Sequence, residues 1–223
     1  GELTEALSEL RLIKDAWEVK QMEAAVAATV NGFTEVIKAL PRAISHPRGE
    51  RVVEGAFFAR AREEGNDLGY DTIAAAGNNA TVLHWIRNNG EVKASDLLLL
   101  DAGVEADSLY TADITRTLPV NGTFSEVQRR VYQAVLDAAD AGFAAAKPGN
   151  KFRDVHAAAV RVLAERLQDW GLLPVPLEEA LSEDGQQHRR CQAGPPPEQC
   201  RARGVDQEDT QRAQQRAGEA TQQ

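Results

Sequence analysis

The sequence is poor in the features that mark several large classes of protein. Only two cysteines occur among 223 residues, Cys191 and Cys200, so neither a disulfide framework nor a cysteine-based zinc cluster is expected. No apolar run approaches the roughly eighteen residues that a membrane span needs. The first residues, GELTEALSEL, lack the basic start and apolar centre of a signal peptide. The sequence therefore predicts a cytoplasmic protein with no membrane partner.

Basic residues are also in the minority. The chain has 25 lysines and arginines against 34 aspartates and glutamates, which gives a formal net charge of -9. No stripe of lysine or arginine offsets this acidic excess, so a nucleic-acid partner is not expected. What is present is apolar content: 43% of the residues are hydrophobic, which is enough to bury a core. These bulk properties favour one globular domain with appendages.

Apolar spacing predicts helices in the first part of the chain. Residues 8–40 carry apolar side chains every three to four positions, which indicates one helix or two. A connection is expected at 41–50, where two prolines occur, followed by another amphipathic helix over 51–64. The beginning of the chain is therefore expected to be helical.

Two further helices are predicted later in the chain, over about 126–146 and 152–170. Ser125 and Gln128 have the spacing of a capping box at the start of the first, and Gly171 stands where a C′ glycine would end the second. Both ends of the domain are therefore expected to be helical.

Strand-like segments lie between these two helical regions. The candidates are 70–76, 80–87, 97–104 and 109–118, separated by turn-forming residues. Helices, then strands, then helices without strict βαβ alternation favour an α+β domain built on a mostly antiparallel sheet.

The last forty residues, 184–223, differ sharply in composition from the rest. Val205 is their only large apolar residue, while Gln, Arg, Glu and Gly dominate. Such a segment cannot bury enough apolar surface to offset the entropy of ordering it. We therefore predict a folded domain over 1–183 and a disordered or foreign tail over 184–223.

Two aspartates stand inside strand-like sequence in LLLLDAGVEADSLYTADITRTLPV. If the two strands form a hairpin whose loop centres on Asp107, then Asp101 and Asp113 face each other directly. Opposed like charges are destabilising. A proton on one aspartate, a bridging basic side chain, or a cation bound by both would compensate. Alternatively, one aspartate caps a turn and the other pairs with Arg116.

The sequence motifs around Asp101 and Asp113 resemble those of a known family. The D-A-G strand, the A-D-I-T-R-T strand and the NGTFSEVQRRVY helix start occur in the order seen in the Xaa-Pro aminopeptidase and prolidase family. LRLIKDAWEVKQMEAA resembles the family's entry helix, and TIAAAGNNATVLHW resembles its strand pair ending in a substrate-site histidine. The resemblance covers roughly residues 8–190 and implies the family's pita-bread fold, an α+β fold with a mostly antiparallel sheet.

The resemblance also implies a site. Family members hold two divalent ions, usually Mn(II), with two aspartates, one histidine and two glutamates. Asp101 and Asp113 match the two aspartate ligands, and His84 matches the histidine that contacts the substrate. The implied activity is the release of an N-terminal residue that precedes proline. The implied partners are peptides with proline at the second position and, for the full-length protein, a possible homo-oligomer.

The sequence departs from the family after residue 190. The family continues with a histidine-rich stretch and two glutamate strands, whereas this chain reads CQAGPPPEQC and has no histidine after His188. We therefore expect a C-terminally truncated or frameshifted family member that is inactive by itself. Two alternatives are an Xaa-Pro dipeptidase and a decayed, non-catalytic fragment.

Overall fold

The structure, a computed structural model that describes residues 2–182, contains helices and two small antiparallel sheets. The chain separates into two compact units, with the boundary between Phe124 and Ser125. The predicted tail over 184–223 lies outside the described residues. Among the residues that are described, no helix is long and apolar enough to cross a membrane.

The first unit consists of three helices followed by five short strands, with a 3-10 turn after the second strand. They are α1 (Glu2–Leu12), α2 (Ala16–Ile44), α3 (Gly49–Glu64), β1 (Asp67–Leu68), β2 (Ile73–Ala76), a 3-10 turn (Gly77–Thr81), β3 (Leu97–Ala102), β4 (Val104–Glu105) and β5 (Ile114–Pro119). The second unit contains α4 (Glu126–Ala145), α5 (Phe152–Asp169) and α6 (Leu177–Leu181).

The first helical region is two helices, separated by a capping box. Asp15 accepts hydrogen bonds from the backbone N–H groups of Trp17 and Glu18, both at 2.8 Å. The Glu18 carboxylate accepts in return from the Asp15 N–H at 2.7 Å. Orphan donors at the start of α2 are thereby satisfied, which fixes the point where the chain re-enters a helix.

The predicted connection at 41–50 is wrong at its start, because α2 continues through Pro41 to Ile44. A proline inside a helix costs one backbone hydrogen bond. Here the neighbours Leu40 and Ala43 are 7% and 0% exposed and belong to the main hydrophobic core. Tertiary packing of the buried face therefore overrides the local preference of proline.

The core of the first unit lies between α2, α3 and one face of the main sheet. Phe33 of α2 and Phe57 of α3 meet edge to face, with ring centroids 6.0 Å apart. On β3 the side chains alternate: Leu98, Leu100 and Ala102 are fully buried, while the residues between them are half-buried. Within the described residues, β3 is therefore fully buried on one face and partly exposed on the other.

The main sheet has the order β2-β3-β5, and a second two-stranded sheet pairs β1 with β4; all pairs are antiparallel. The α+β class with an antiparallel sheet is therefore confirmed. The strand predicted at 80–87 is wrong, because the chain forms a 3-10 turn at Gly77–Thr81 and no strand before Leu97.

The second unit begins as its sequence predicts. The Ser125 hydroxyl accepts from the Gln128 N–H at 3.2 Å, and the Gln128 side chain accepts from the Ser125 N–H at 2.9 Å. Gly171 follows α5 with φ +68°, the left-handed conformation of a C′ glycine. The small buried residues Ala134, Ala138 and Gly142 let α4 pack closely against α5.

Candidate functional site

The register of β3 and β5 differs from the predicted hairpin. Asp101 pairs with Thr115, and Ala102 pairs with Ile114, so β5 begins one residue after Asp113. The prediction that Asp101 and Asp113 stand directly opposite is therefore wrong by two residues. An even shift preserves which sheet face each side chain belongs to, whereas a shift of one would have separated the pair.

The reason for the shift lies in the segment that joins the strands. The prediction assumed a simple loop centred on Asp107, but residues 104–105 form a strand that pairs with β1. The chain then returns along this strand, with an isolated bridge between Glu105 and Thr111. The joining segment therefore contains its own pairing, which sequence arithmetic about a single loop did not include.

A tyrosine brings the two aspartates together. The Tyr70 hydroxyl lies 2.6 Å from Oδ1 of Asp101 and 2.9 Å from Oδ1 of Asp113. A phenol has one proton, so it can donate fully to only one of the two carboxylates at a time. The two carboxylates therefore share one neutral hydrogen-bond donor. This donor does not cancel their charge, so a cation would still be attracted to the pair.

The environment keeps Tyr70 protonated. Burial raises the pKa of Tyr70 well above its ordinary value, and its hydrogen bonds to Asp101 and Asp113 raise the pKa further. The hydroxyl is consequently a neutral donor at physiological pH. Tyr70 can orient the aspartates but cannot offset their charge.

Two glycines permit the close backbone approach behind this arrangement. A Cβ on Gly103, the glycine of the D-A-G motif, would lie 1.7 Å from the carbonyl oxygen of Ala112. A Cβ on Gly69 would lie 2.1 Å from the side chain of Thr111. Since no side chain fits at either position, glycine here allows the residues beside Tyr70 and Asp113 to pack against β3.

The aspartate pair fits part of a site for a hard divalent cation. Carboxylate oxygens are the ligands that such ions prefer. Asp101 is half-buried and Asp113 is exposed, so an ion could reach both. Within residues 2–182 no group of three or more histidine, cysteine, aspartate or glutamate side chains could hold a metal ion. The described residues therefore supply an incomplete ligand set.

Arg116 does not bridge the aspartates. Its guanidinium donates to the carbonyl of its neighbour Thr115 at 2.7 Å. The alternative in which Arg116 pairs with one aspartate is therefore not what the structure shows.

His84 lies in an irregular segment after the 3-10 turn. Its backbone has φ +55°, a conformation that residues other than glycine rarely adopt. Its side chain is exposed and makes no hydrogen bond to another described residue. The structure thus joins Asp101 to Asp113 through Tyr70, and it does not add His84 to that group.

A buried glutamate, Glu50, organises the segment that carries His84. Its side chain is fully buried and accepts four hydrogen bonds. Oε1 accepts from the Ala76 N–H at 2.8 Å and the Asn79 amide at 2.9 Å. Oε2 accepts from the Trp85 indole at 2.9 Å and the Gly90 N–H at 2.7 Å.

Sequence reasoning missed both Tyr70 and Glu50. Glu50 lies in the first turn of a helix, where acidic residues are common because they favour the helix dipole. Tyr70 follows a glycine in a loop. Neither position carries a periodicity or spacing signal, since their partners are distant in sequence.

Comparisons with known proteins show the family of the chain. The profile of metallopeptidase family M24 matches residues 20–190. The chain belongs to metallopeptidase family M24.

Relatives in that family are Xaa-Pro aminopeptidases. The chain is 56% identical to Xaa-Pro aminopeptidase 1 of Streptomyces coelicolor over 180 residues, which is 81% of this chain and 36% of that protein. It is also 56% identical to Xaa-Pro aminopeptidase 2 of the same organism over 194 residues, or 87% of this chain and 41% of that protein. The chain therefore spans about two fifths of the length of these relatives.

Solved structures show the same fold. Pseudomonas aeruginosa aminopeptidase PepP matches with a TM-score of 0.71 and 36% identity, over 80% of this chain and 40% of that one. Zinc-substituted E. coli aminopeptidase P in complex with product matches with a TM-score of 0.71 and 29% identity, over 80% and 40%. The predicted aminopeptidase fold is thereby confirmed for the part that this chain covers.

Proposed function

We propose that the chain is the aspartate-bearing part of an Xaa-Pro aminopeptidase, which releases an N-terminal residue that precedes proline. The observation that carries the proposal is the convergence of Asp101 and Asp113 on the Tyr70 hydroxyl, at 2.6 and 2.9 Å. The 56% identity to Xaa-Pro aminopeptidases supports the choice of reaction.

In this proposal Asp101 and Asp113 hold divalent metal. Two bound ions, most often Mn(II) in the family that the sequence resembles, would activate a water and polarise the scissile carbonyl. Tyr70 donates a hydrogen bond to Asp101 and so orients its carboxylate. The carboxylate oxygens of the pair that do not face Tyr70 could then accept a metal ion.

His84 is proposed as the substrate contact. Its exposed imidazole can donate or accept a hydrogen bond without first losing another described partner. Such a group could stabilise negative charge that develops on the carbonyl oxygen during hydrolysis.

The chain of 223 residues is proposed to be inactive by itself. Its described residues offer two metal ligands, and the histidine and glutamate ligands implied by the resemblance have no match in the sequence. The cytoplasmic location and the homo-oligomer belong to the same proposal for the whole protein.

Titration calorimetry with Mn²⁺ tests the metal assignment. We expect weak binding that is lost in Asp101→Asn and in Asp113→Asn. Asp107→Asn is the matched control, because Asp107 is an exposed turn residue in the segment between them, and we expect it to bind like the wild type. Equal binding by all four proteins would refute the assignment, while tight binding of two ions would refute the proposed inactivity.

Two further measurements address the reaction and the departure after residue 190. We expect no cleavage of Xaa-Pro dipeptides or of longer Xaa-Pro-Yaa peptides by this chain. Cleavage confined to dipeptides would favour the dipeptidase alternative. Sequencing the encoding DNA beyond codon 190 tests the frameshift, which requires another frame that spells the missing histidine motif.

A further inference from the structure

Glu50 is an unusual residue to find at the centre of a core. A fully buried carboxylate is costly unless hydrogen bonds replace its lost hydration. All four of its donors are uncharged: two backbone N–H groups, one amide and one indole. The carboxylate is therefore held by directed hydrogen bonds, and its position depends on the geometry of these groups.

All four donors belong to one stretch of chain. Ala76 is the last residue of β2, and Asn79 lies in the 3-10 turn. Trp85 directly follows His84, and Gly90 lies further along the same irregular segment. This stretch makes few backbone hydrogen bonds of its own. Its donors instead form hydrogen bonds to the side chain of Glu50, which belongs to α3.

The contact between Glu50 and Gly90 is reciprocal and tight. The Glu50 N–H donates to the Gly90 carbonyl at 3.1 Å, while the Gly90 N–H donates to the Glu50 carboxylate. A Cβ on Gly90 would lie 2.4 Å from the Asn79 amide nitrogen and 2.9 Å from the carboxylate. Only glycine fits at this position, so the far end of the segment is held against α3.

Asn88 is a second anchor for the same segment. Its side chain accepts from the Ala74 N–H at 3.0 Å and donates to the Thr72 carbonyl at 2.8 Å. It also donates to Glu54 at 3.0 Å. Hydrogen bonds to β2 and to α3 thus hold this segment, and His84 is one of its exposed residues.

We propose that Glu50 is a positioning residue for His84. This inference rests on the proposed role of His84 as substrate contact. In this proposal Glu50 contacts neither substrate nor metal. It fixes the position of the segment that carries His84, the proposed substrate contact. Loss of the carboxylate would leave Asp101 and Asp113 in place and would let His84 move relative to them.

Glu50→Gln is the variant of choice because it conserves shape. A glutamine has one acceptor oxygen, so its NH₂ group must face one pair of donors. The Trp85 indole N–H and the backbone N–H groups of Gly90 and Ala76 can only donate. At least one of these donors would therefore face the NH₂ group and lose its acceptor. The segment should therefore open more often while α3 and the sheet persist.

Two measurements on the 223-residue chain report this opening. Amide exchange at Gly90 should accelerate roughly ten- to a hundredfold, as expected for the loss of one or two buried hydrogen bonds. Broadening by bound Mn²⁺ should be recorded for the His84 ring and for the Tyr70 ring. In Glu50→Gln the His84 broadening should change while the Tyr70 broadening stays at its wild-type value.

Val53→Ala is the matched control. Val53 lies in α3, is fully buried, and donates no side-chain hydrogen bond. It should lower global stability without changing the ratio of His84 to Tyr70 broadening. Trp85→Phe is a milder second variant, because it removes one donor of four; Gly90 exchange should lie between those of the wild type and Glu50→Gln.

The outcomes separate the inference from the proposed function. Wild-type exchange at Gly90 in both Glu50→Gln and Trp85→Phe, or a broadening ratio that changes equally in Val53→Ala, would overturn the role of Glu50. Absence of Tyr70 broadening in the wild type would overturn the metal assignment. In that case the exchange data alone decide whether Glu50 holds the segment.

Discussion

Two segments of the first unit carry the proposed site residues, and they are stabilised in opposite ways. Residues 76–90, with His84, form no strand after Ala76, and two buried side chains hold them: Glu50 of α3 and Asn88 of the segment itself. Residues 97–119, with both aspartates, are built on a regular antiparallel ladder between β3 and β5, which includes Asp101 and begins directly after Asp113. The comparison shows that a histidine and two aspartates of one proposed site depend on different kinds of interaction.

Different sensitivities to substitution follow. A ladder distributes its stability over many backbone hydrogen bonds, so side-chain changes are tolerated but backbone clashes are not. A segment held by two side chains should respond strongly to either one. The four predictions below test this contrast, beginning with the largest expected effect.

Gly103→Ala should be the most damaging change in the aspartate segment. The added Cβ would lie 1.7 Å from the Ala112 carbonyl oxygen, so the backbone beside Asp113 must move. We expect a loss of about 2–4 kcal/mol in the free energy of unfolding, measured by urea denaturation. Gly55→Ala is the control: Gly55 lies in α3 with nothing within 4 Å of the added atom. It should stabilise by ~0.5–1 kcal/mol, and equal effects of the two changes would contradict the proposed close approach.

Asn88→Ala should be the most damaging single change in the His84 segment that does not alter Glu50. It removes three hydrogen bonds and places alanine at φ +45°. The expected loss is about 2–3 kcal/mol, since a buried N–H and a buried carbonyl lose their partners. Asn89→Ala changes the exposed neighbour and should have little effect. If Asn88→Ala is as mild as Asn89→Ala, the segment is not held by side chains and the contrast fails.

Thr29→Val tests a side-chain contact that α2 makes with the aspartate segment. The buried Thr29 hydroxyl accepts from the Val104 N–H at 3.0 Å and donates to the Ala25 carbonyl at 2.8 Å. Valine conserves the shape but leaves the Val104 donor unpaired, which should cost about 1–2 kcal/mol in urea denaturation. Thr34→Val is matched, since Thr34 is exposed on the same helix and bonds only to the Val30 carbonyl. A difference near zero would show that the ladder compensates for the loss.

The same contrast explains what the sequence could predict. Helices, the capping box at Ser125 and the C′ glycine Gly171 depend on residues close in sequence; the helix over 126–146 and its Ser125 cap were accordingly placed within one residue. The pairing of Asp101 with Asp113 was found approximately, because alternation along strands is a local rule. The exact register was missed, since the small strand at 104–105 pairs with a distant partner. The irregular path of residues 77–90 was missed because Glu50, far away in sequence, determines it.

Tyr70→Phe gives the smallest expected change in stability and the most direct test of the aspartate pair. It removes the hydroxyl that both carboxylates share, so this donor no longer reduces their repulsion. We expect a loss of about 1 kcal/mol without metal. Because a bound cation offsets the same repulsion, added Mn²⁺ should recover more stability in Tyr70→Phe than in the wild type. Tyr110→Phe is the control for losing a tyrosine hydroxyl, because the Tyr110 hydroxyl donates to Glu18. If Mn²⁺ raises the stability of wild type, Tyr70→Phe and Tyr110→Phe equally, the ion does not act at Asp101 and Asp113, and the aspartate segment would then depend on its ladder alone.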